Sequence, residues 1–534
     1  IAVEGQAYVD NLLQNGYGTM DDPVNPGNQL LFYNGPTYQD LIWQTGKTND
    51  NNLSISGGSQ NANYNVSAGY TFQEGTMVGT NYERANILGN FGFKLNDKLH
   101  LDAMMNYQNV APNNVQGDFA NAAIRGMRVS PLIRLFKDDG NPQSGESYTV
   151  RNWLHTLAYD TYKINTERIT TRLGLTYDIL EGLSYRPSLS YILSDHRNMF
   201  MRADVPATDW AKPSTIREKR QNNVNYRQLM VDQILQYDFK LGAKDNFTTL
   251  LGFNYTRNYT NSIVIGSQRA TNDYIFTINE PAITTINGVP TTNVTAFGTN
   301  IVETRSASYF GQVQYDHDGK YMLGGSLRYD GFSNFAPAYK FATFPSLSGG
   351  WNIHREEFFT LPQVSNLKLR ASWGVAGTSD LSYTDTYGGY SAVQYAQSSG
   401  IRRANLANPN LKWEKTEITD IAVDLGLFNN RVNLTVDWYN KLTKDRLDLK
   451  PLPAESPFSS IIFNNGVLQN QGIEVELGAH LVKSKGFNWK MNFAVAKNNQ
   501  KILALPENER AKNRQGGTII ADPVTGEDIE VGGF

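Results

Sequence analysis

The chain of 534 residues carries 48 basic and 51 acidic residues, a formal net charge of −3, so it offers no excess positive charge to a nucleic acid. The absence of Cys excludes a disulfide scaffold, a thiolate metal site and a Cys nucleophile. A mean hydropathy of −0.45, with no apolar run approaching about 18 residues, excludes transmembrane helices, though not a membrane β-barrel, whose inward residues are polar.

The opening Ile1-Ala2-Val3-Glu4 has neither the basic start nor the apolar stretch of a signal peptide, and with no initial Met the chain reads as mature or partial. Residues 1–50, rich in Asn, Gly and Pro, read as a loop segment with one short helix near Tyr8–Leu13. From 51 to 534 the pattern is strands in pairs. Leu53 and Ile55 begin one, and Tyr64, Val66, Ala68 and Tyr70 the next. Ile87, Gly89, Phe91 and Phe93 are followed across Asn96-Asp97-Lys98 by Leu99, Leu101, Ala103, Met105 and Tyr107. Further pairs follow around Asp178–Gly182, Gly242–Asn246, Asp316–Gly319 and Arg355–Val364.

The clearest pair is Ile421, Val423, Leu425 and Leu427 before Asn429-Asn430, then Val432, Leu434, Val436 and Trp438. A two-residue loop there sets Leu427 against Val432, Leu425 against Leu434, Val423 against Val436 and Ile421 against Trp438. A one-residue slip destroys every apolar match, and Asn tolerates the positive φ that such a turn needs. A last pair turns at Ser484–Gly486.

About sixteen strands result, each of about 12 to 14 residues in the best case, against roughly 5 or 6 in soluble sheets. Their connections alternate between short turns and the long segments 109–165, 195–226, 259–302, 377–413, 445–469 and 499–534. A soluble β-sandwich or propeller also alternates apolar and polar residues. Strand length, aromatic strand ends and one-sided long loops favour an all-β, antiparallel transmembrane barrel with long extracellular loops and short periplasmic turns. Asn90, Lys94, Asp102, Arg172, Arg186, Lys368, Arg370, Asp424, Asp437, Glu474, Glu476 and Lys490 fall on the opposite faces, which implies a wet or plugged interior.

Catalytic chemistry finds little support. The six His show no metal-ligand spacing, Glu474 and Glu476 are explained by a wet lumen, and Asp316-His317-Asp318-Gly319 lacks the later ligands of a calcium loop. No catalytic residue, metal or cofactor is expected. The binding candidates are loop aromatics: Tyr383, Tyr387, Tyr390 and Tyr395, with Arg402 and Arg403 nearby, and Trp210 in another long loop. Rings there stack on sugars or peptides, or pack among loops.

Several stretches are more specific: NPNLKWEKTEITDIAVDLGLFNNRVNLTVDWYNKLTKDRL (408–447), GVLQNQGIEVELG (466–478), YMLGGSLRYDGFSNFAPAYKFATFPSLSGGWNIHREEFF (321–359), LKLRASWGVAGTSD (367–380) and YQDLIWQTGKTNDNNLSISGGSQNANYNVSAGYTFQEG (38–75). They resemble the SusC/RagA-like family of TonB-dependent outer-membrane transporters of Bacteroidota, over roughly residues 38–500. The resemblance implies a barrel of about 22 strands around a plug, set in the outer-membrane bilayer. It also implies uptake of oligosaccharides or peptides, a SusD-like surface lipoprotein as lid, and energy from the TonB complex through an N-terminal TonB box. Neither plug, TonB box nor closing strands is recognisable here, so a partial chain is expected. The competing reading is a SusC-like barrel serving as a structural subunit of a larger outer-membrane assembly.

Overall fold

A computed structural model of the chain describes residues 17–21, 24–33, 38–113, 135–136, 140–142, 145–147, 150–202, 217–270, 275, 277–286, 288–395, 398–453, 455–484, 486–504, 518–521 and 528–531. The expected helix near Tyr8–Leu13 lies outside these residues. Sixteen strands form one antiparallel sheet in which each pairs with its neighbours in sequence. They are β1 (Thr48–Gly58), β2 (Ala62–Glu74), β3 (Asn81–Asn96), β4 (Leu99–Asn113), β5 (Thr161–Leu180), β6 (Leu183–Arg202), β7 (Glu218–Leu241) and β8 (Asp245–Ser267). Then come β9 (Val294–His317), β10 (Tyr321–Phe332), β11 (Phe341–Asn352), β12 (Val364–Thr378), β13 (Glu414–Leu427), β14 (Val432–Lys444), β15 (Val467–Lys483) and β16 (Asn488–Ala504). β1 and β16 are the two edges, and among the described residues they do not pair with each other.

The β13–β14 hairpin has the register that its apolar faces dictate: Leu427 opposite Val432, Leu425 opposite Leu434, Val423 opposite Val436 and Ile421 opposite Trp438. Asn429 (φ 58°) and Asn430 (φ 59°) occupy the left-handed region, and Arg431 N donates to Phe428 O at 3.3 Å, closing the two-residue turn. Phe428 is also left-handed, at φ 53°. Phe93 faces Leu101 and Ile87 faces Tyr107, again as the pattern requires.

The strands run further into the long connections than the apolar alternation indicated. β7, β8 and β9 have 24, 23 and 24 residues, more than twice the roughly 9–11 that a tilted strand needs to cross hydrocarbon. The reason lies on their outward face. Beyond Leu229, Tyr255 and Tyr309 the outward positions become Arg227, Arg257, Arg305 and Glu303, with Asp195, Arg197 and Glu167 at the same level on β6 and β5. Arg257 and Arg305 both bridge to Glu303, at 2.8 and 2.6 Å, and Arg197 to Asp195 at 2.7 Å. This charged band interrupts the apolar outward face, as the polar edge of a lipid-facing zone would. Above it the apolar alternation resumes only in part, at Ile263, Ile265, Phe297 and Ile301, so the upper half is less legible than the lower.

At the opposite, short-turn end the outward face carries a continuous row of rings: Tyr237, Phe239, Phe247, Tyr315, His317, Tyr321, Trp351 and Phe358. Successive centroids lie 4.8–6.4 Å apart. Such amphipathic rings belong at a lipid–water boundary.

Buried apolar side chains are few in the sheet and gather at the long-loop end. One cluster joins Ile42, Met77, Leu135 and Trp153, and Trp153 Nε1 donates to Val78 O at 2.9 Å. A second joins Phe335, Phe344, Leu381, Leu411 and Trp413, the Phe335 and Trp413 rings stacked at 5.0 Å.

Candidate functional site

The inner face carries most of the polar and charged side chains of the sheet, with apolar Met230, Ile234, Leu250 and Phe310 interspersed among them. Arg370 holds two carboxylates, Asp424 at 2.8 Å and Asp437 at 2.9 Å, while Thr435 Oγ1 donates to Asp424. These strands alternate, so Ile421, Val423 and Val436 point outward while Asp424 and Asp437 point inward. Among the described residues several recesses interrupt the wall, one of them at Thr435, Glu476 and Lys490. Another, of ≈ 540 Å³, includes Lys368, Arg370, Asp420, Asp316 and Ser372. A third, of ≈ 470 Å³, includes Asn90, Asp102, Arg172, Arg186 and Asp232, and opens at Gly174, where a Cβ would meet nothing closer than 3.9 Å. Of the inward residues read from the sequence, Lys368 and Arg370 line the recess of ≈ 540 Å³, and Asn90, Asp102, Arg172 and Arg186 that of ≈ 470 Å³. Among the described residues no cluster of His, Asp and Glu has the form of a metal site.

The mouth is built on the second apolar cluster. Three connections, 333–340, 379–413 and 445–466, meet there. Asn334 Nδ2 donates to Leu381 O at 2.7 Å, Tyr387 OH to Phe335 O at 3.1 Å, and Asn408 Nδ2 to Ile462 O at 2.9 Å. Asn464 closes the third contact, accepting from Lys412 N at 2.7 Å. A short helix, Tyr383–Tyr387, starts from a capping box of Ser382 with Asp385. It stops at Gly388, whose φ of 81° suits a residue without Cβ. From it projects a hairpin of Gly389–Tyr395 and Ser398–Asn405, fixed at its base by Asn405, which accepts from Gly389 N and donates to Thr384 O, both at 2.7 Å.

This block carries most of the aromatic candidates. Tyr383 and Tyr387, one helical turn apart, stack at 4.4 Å and remain exposed. Tyr390 stands on the hairpin opposite Arg403, and Arg402 opposite Ser391. Tyr395 ends the first hairpin strand, opposite Ser398, its side chain outside the described residues, as is Trp210. The structure thus brings Tyr383, Tyr387, Tyr390, Arg402 and Arg403 to one loop cluster.

Sequence reasoning missed a latch on the other side of the mouth. Lys219, only 1% exposed, donates to Glu280 Oε1 at 2.6 Å and Thr277 O at 3.2 Å, and Ser267 Oγ donates to Glu280 Oε2 at 2.6 Å. Burial pushes the Glu280 carboxyl up, but the hydrogen bonds from Lys219 and Ser267 outweigh it and hold the group below its ordinary value. Neither residue sits in a periodic pattern, and they are 61 positions apart, so nothing in the sequence pairs them.

The family described as TonB dependent receptor-like, beta-barrel matches residues 117–518. TonB-dependent receptor P3 of Formosa agariphila is 28% identical over 487 residues, 88% of this chain and 47% of that protein. TonB-dependent receptor SusC of Bacteroides thetaiotaomicron is 25% identical over 504 residues, 88% of this chain and 48% of its own length. The chain therefore spans about half the length of these curated relatives. Among solved structures, the RagAB peptide transporter is similar in fold, with a TM-score of 0.78 at 21% identity, covering 88% of this chain and 52% of that one. The ferric citrate transporter FecA follows at 0.52 and 10%, covering 86% and 58%. With long strands, a wet polar lumen, one-sided loops and a family match over most of its length, this chain belongs to the SusC-like TonB-dependent receptors, as part of their outer-membrane β-barrel.

Proposed function

We propose that the complete protein imports oligosaccharides or peptides across the outer membrane, with a SusD-like surface lipoprotein as its lid and the TonB complex as its energy source. The observation that carries this reading is the mouth block, a rigid platform of three interlocked connections that presents Tyr383, Tyr387 and Tyr390 beside Arg402 and Arg403 above a polar lumen. Such rings give cargo a stacking surface at little entropic cost. Tyr395 and Trp210 belong to the same proposal as further cargo contacts. Deletion of the gene in its host, followed by uptake of fluorescent oligosaccharides and peptides, tests it. Loss of uptake of one cargo class is expected, and unchanged uptake of every class overturns it.

One observation favours a second reading, a barrel serving as a subunit of a larger outer-membrane assembly. Above the charged band, the outward face of β8 and β9 turns apolar again, with Ile263, Ile265 and Ile301 exposed and Phe297 84% exposed. With the band read as the polar edge of the lipid-facing zone, this patch invites a protein neighbour. Gentle purification from native membrane discriminates: a single lipoprotein partner supports import, and a multiprotein complex supports the subunit.

A further inference from the structure

The hairpin that projects from the mouth block is a sheet of two strands with no further strand beside it among the described residues. Its two strands pair only with each other. The first is partly covered, since Ser391 and Val393 are half-buried. The second is bare on both faces: Ile401 is 77% exposed, and Arg402, Arg403 and Ala404 are exposed with it. Alternate backbone N–H and C=O groups on its outer edge are therefore free, which makes that edge a template for an added strand.

The side chains restrict what can add. Arg402 and Arg403 point to opposite faces of the edge, and neither forms an ion pair among the described residues. Two copies of this edge brought together would set guanidinium against guanidinium, which disfavours self-pairing. Arginines can serve simply to blunt an edge. Here, however, the strand also bears the exposed apolar Ile401, and Tyr390, 67% exposed, shares its side of the hairpin with Arg403. An edge meant only to repel has no use for that pair of apolar anchors. The hairpin base is held by Asn405 and the capped helix, so the edge is presented rigidly and a ligand need not order it.

We infer that the Ser398–Asn405 edge captures cargo as an extended acidic peptide. The peptide lies antiparallel or parallel along the edge, its main chain bonded to the free backbone groups. Its carboxylates meet Arg402 and Arg403, and an apolar side chain rests on Ile401 and Tyr390. This rests on the import reading and narrows it to peptides.

The test uses the complete protein purified from native membrane with whatever lipoprotein accompanies it. Three labelled ten-residue peptides serve as probes: one with Glu at both odd and even positions around a central Val and Tyr, the same peptide N-methylated at alternate residues, and a version with Lys for Glu. The acidic peptide is expected to bind saturably. Binding should weaken about ten-fold or more on N-methylation, which removes edge hydrogen bonds without touching the protein, and by a similar factor with Arg402→Glu plus Arg403→Glu. Equal binding of the acidic and Lys peptides, unimpaired binding of the N-methylated peptide, or no saturable peptide binding overturns the inference. If the host still depends on the protein for oligosaccharide uptake in that last case, the import reading stands while this one falls.

Discussion

At the residue scale the Lys219–Glu280 pair is the most consequential contact outside the sheet. Both side chains are 2% exposed, so each charge depends on the other. Removing one charge from a buried pair leaves the partner uncompensated, at a cost of about 3–5 kcal/mol. Glu280→Gln should therefore release the segment around 277–293, read as faster amide exchange there while β7 and β8 stay protected. The sign of the pH dependence follows from the direction of the shift. The folded carboxyl lies below its unfolded value of about 4.3, so the latch contributes fully above that pH and is lost as pH falls through the folded value. Exchange in this segment should accelerate in acid before the barrel strands respond.

At the scale of elements, the β13–β14 hairpin separates the two faces cleanly. Ile421 lies outward at mid-strand and Glu474 of β15 lies inward beside Asp437. Ile421→Lys should cost about 2–4 kcal/mol for a charge facing hydrocarbon, while Glu474→Lys on the wet face should cost far less. Refolding of the complete protein into lipid vesicles under a urea series measures both. Residues such as Val423 and Asp424 made this hairpin legible from sequence, because one buried face and one wet face impose strict alternation. The upper halves of β7–β9 were not legible, since the outward charges Arg257, Arg305 and Glu303 interrupt the alternation before Ile263, Ile265, Phe297 and Ile301 resume it. Nor was the mouth block. Phe335, Leu381, Leu411 and Trp413 come from distant connections without periodicity, so only folding brings them together. Of the aromatic candidates, the cluster of Tyr383, Tyr387 and Tyr390 could be guessed from proximity in sequence, whereas the platform beneath them could not. Trp413→Ala should leave a cavity costing about 3–5 kcal/mol. The loss should appear as exchange confined to 379–413, with the barrel itself intact.

At the scale of the whole molecule, sixteen strands leave two edges, β1 and β16, that are unpaired among the described residues, and every residue of β16 is exposed. In hydrocarbon each unpaired backbone group costs several kcal/mol, so the sheet needs further strands to seal it. Residues 1–534 expressed alone should fail to give a protease-resistant species in vesicles, whereas the length typical of the relatives should give one. Sixteen strands in a meander also mean that the contacts holding the sheet are between neighbours in the chain, so assembly can proceed hairpin by hairpin.

The unequal strand lengths set the height of the sheet from place to place. β7–β9 outrun β10 by about a dozen residues, which at the pitch and tilt of such strands is ~30 Å of extra height. The edge of the described sheet is therefore stepped, tall along β7–β9 and low at β10. A label at Phe297 of β9 should accordingly stand well clear of one at Gly331 of β10, the separation being set by strand length alone.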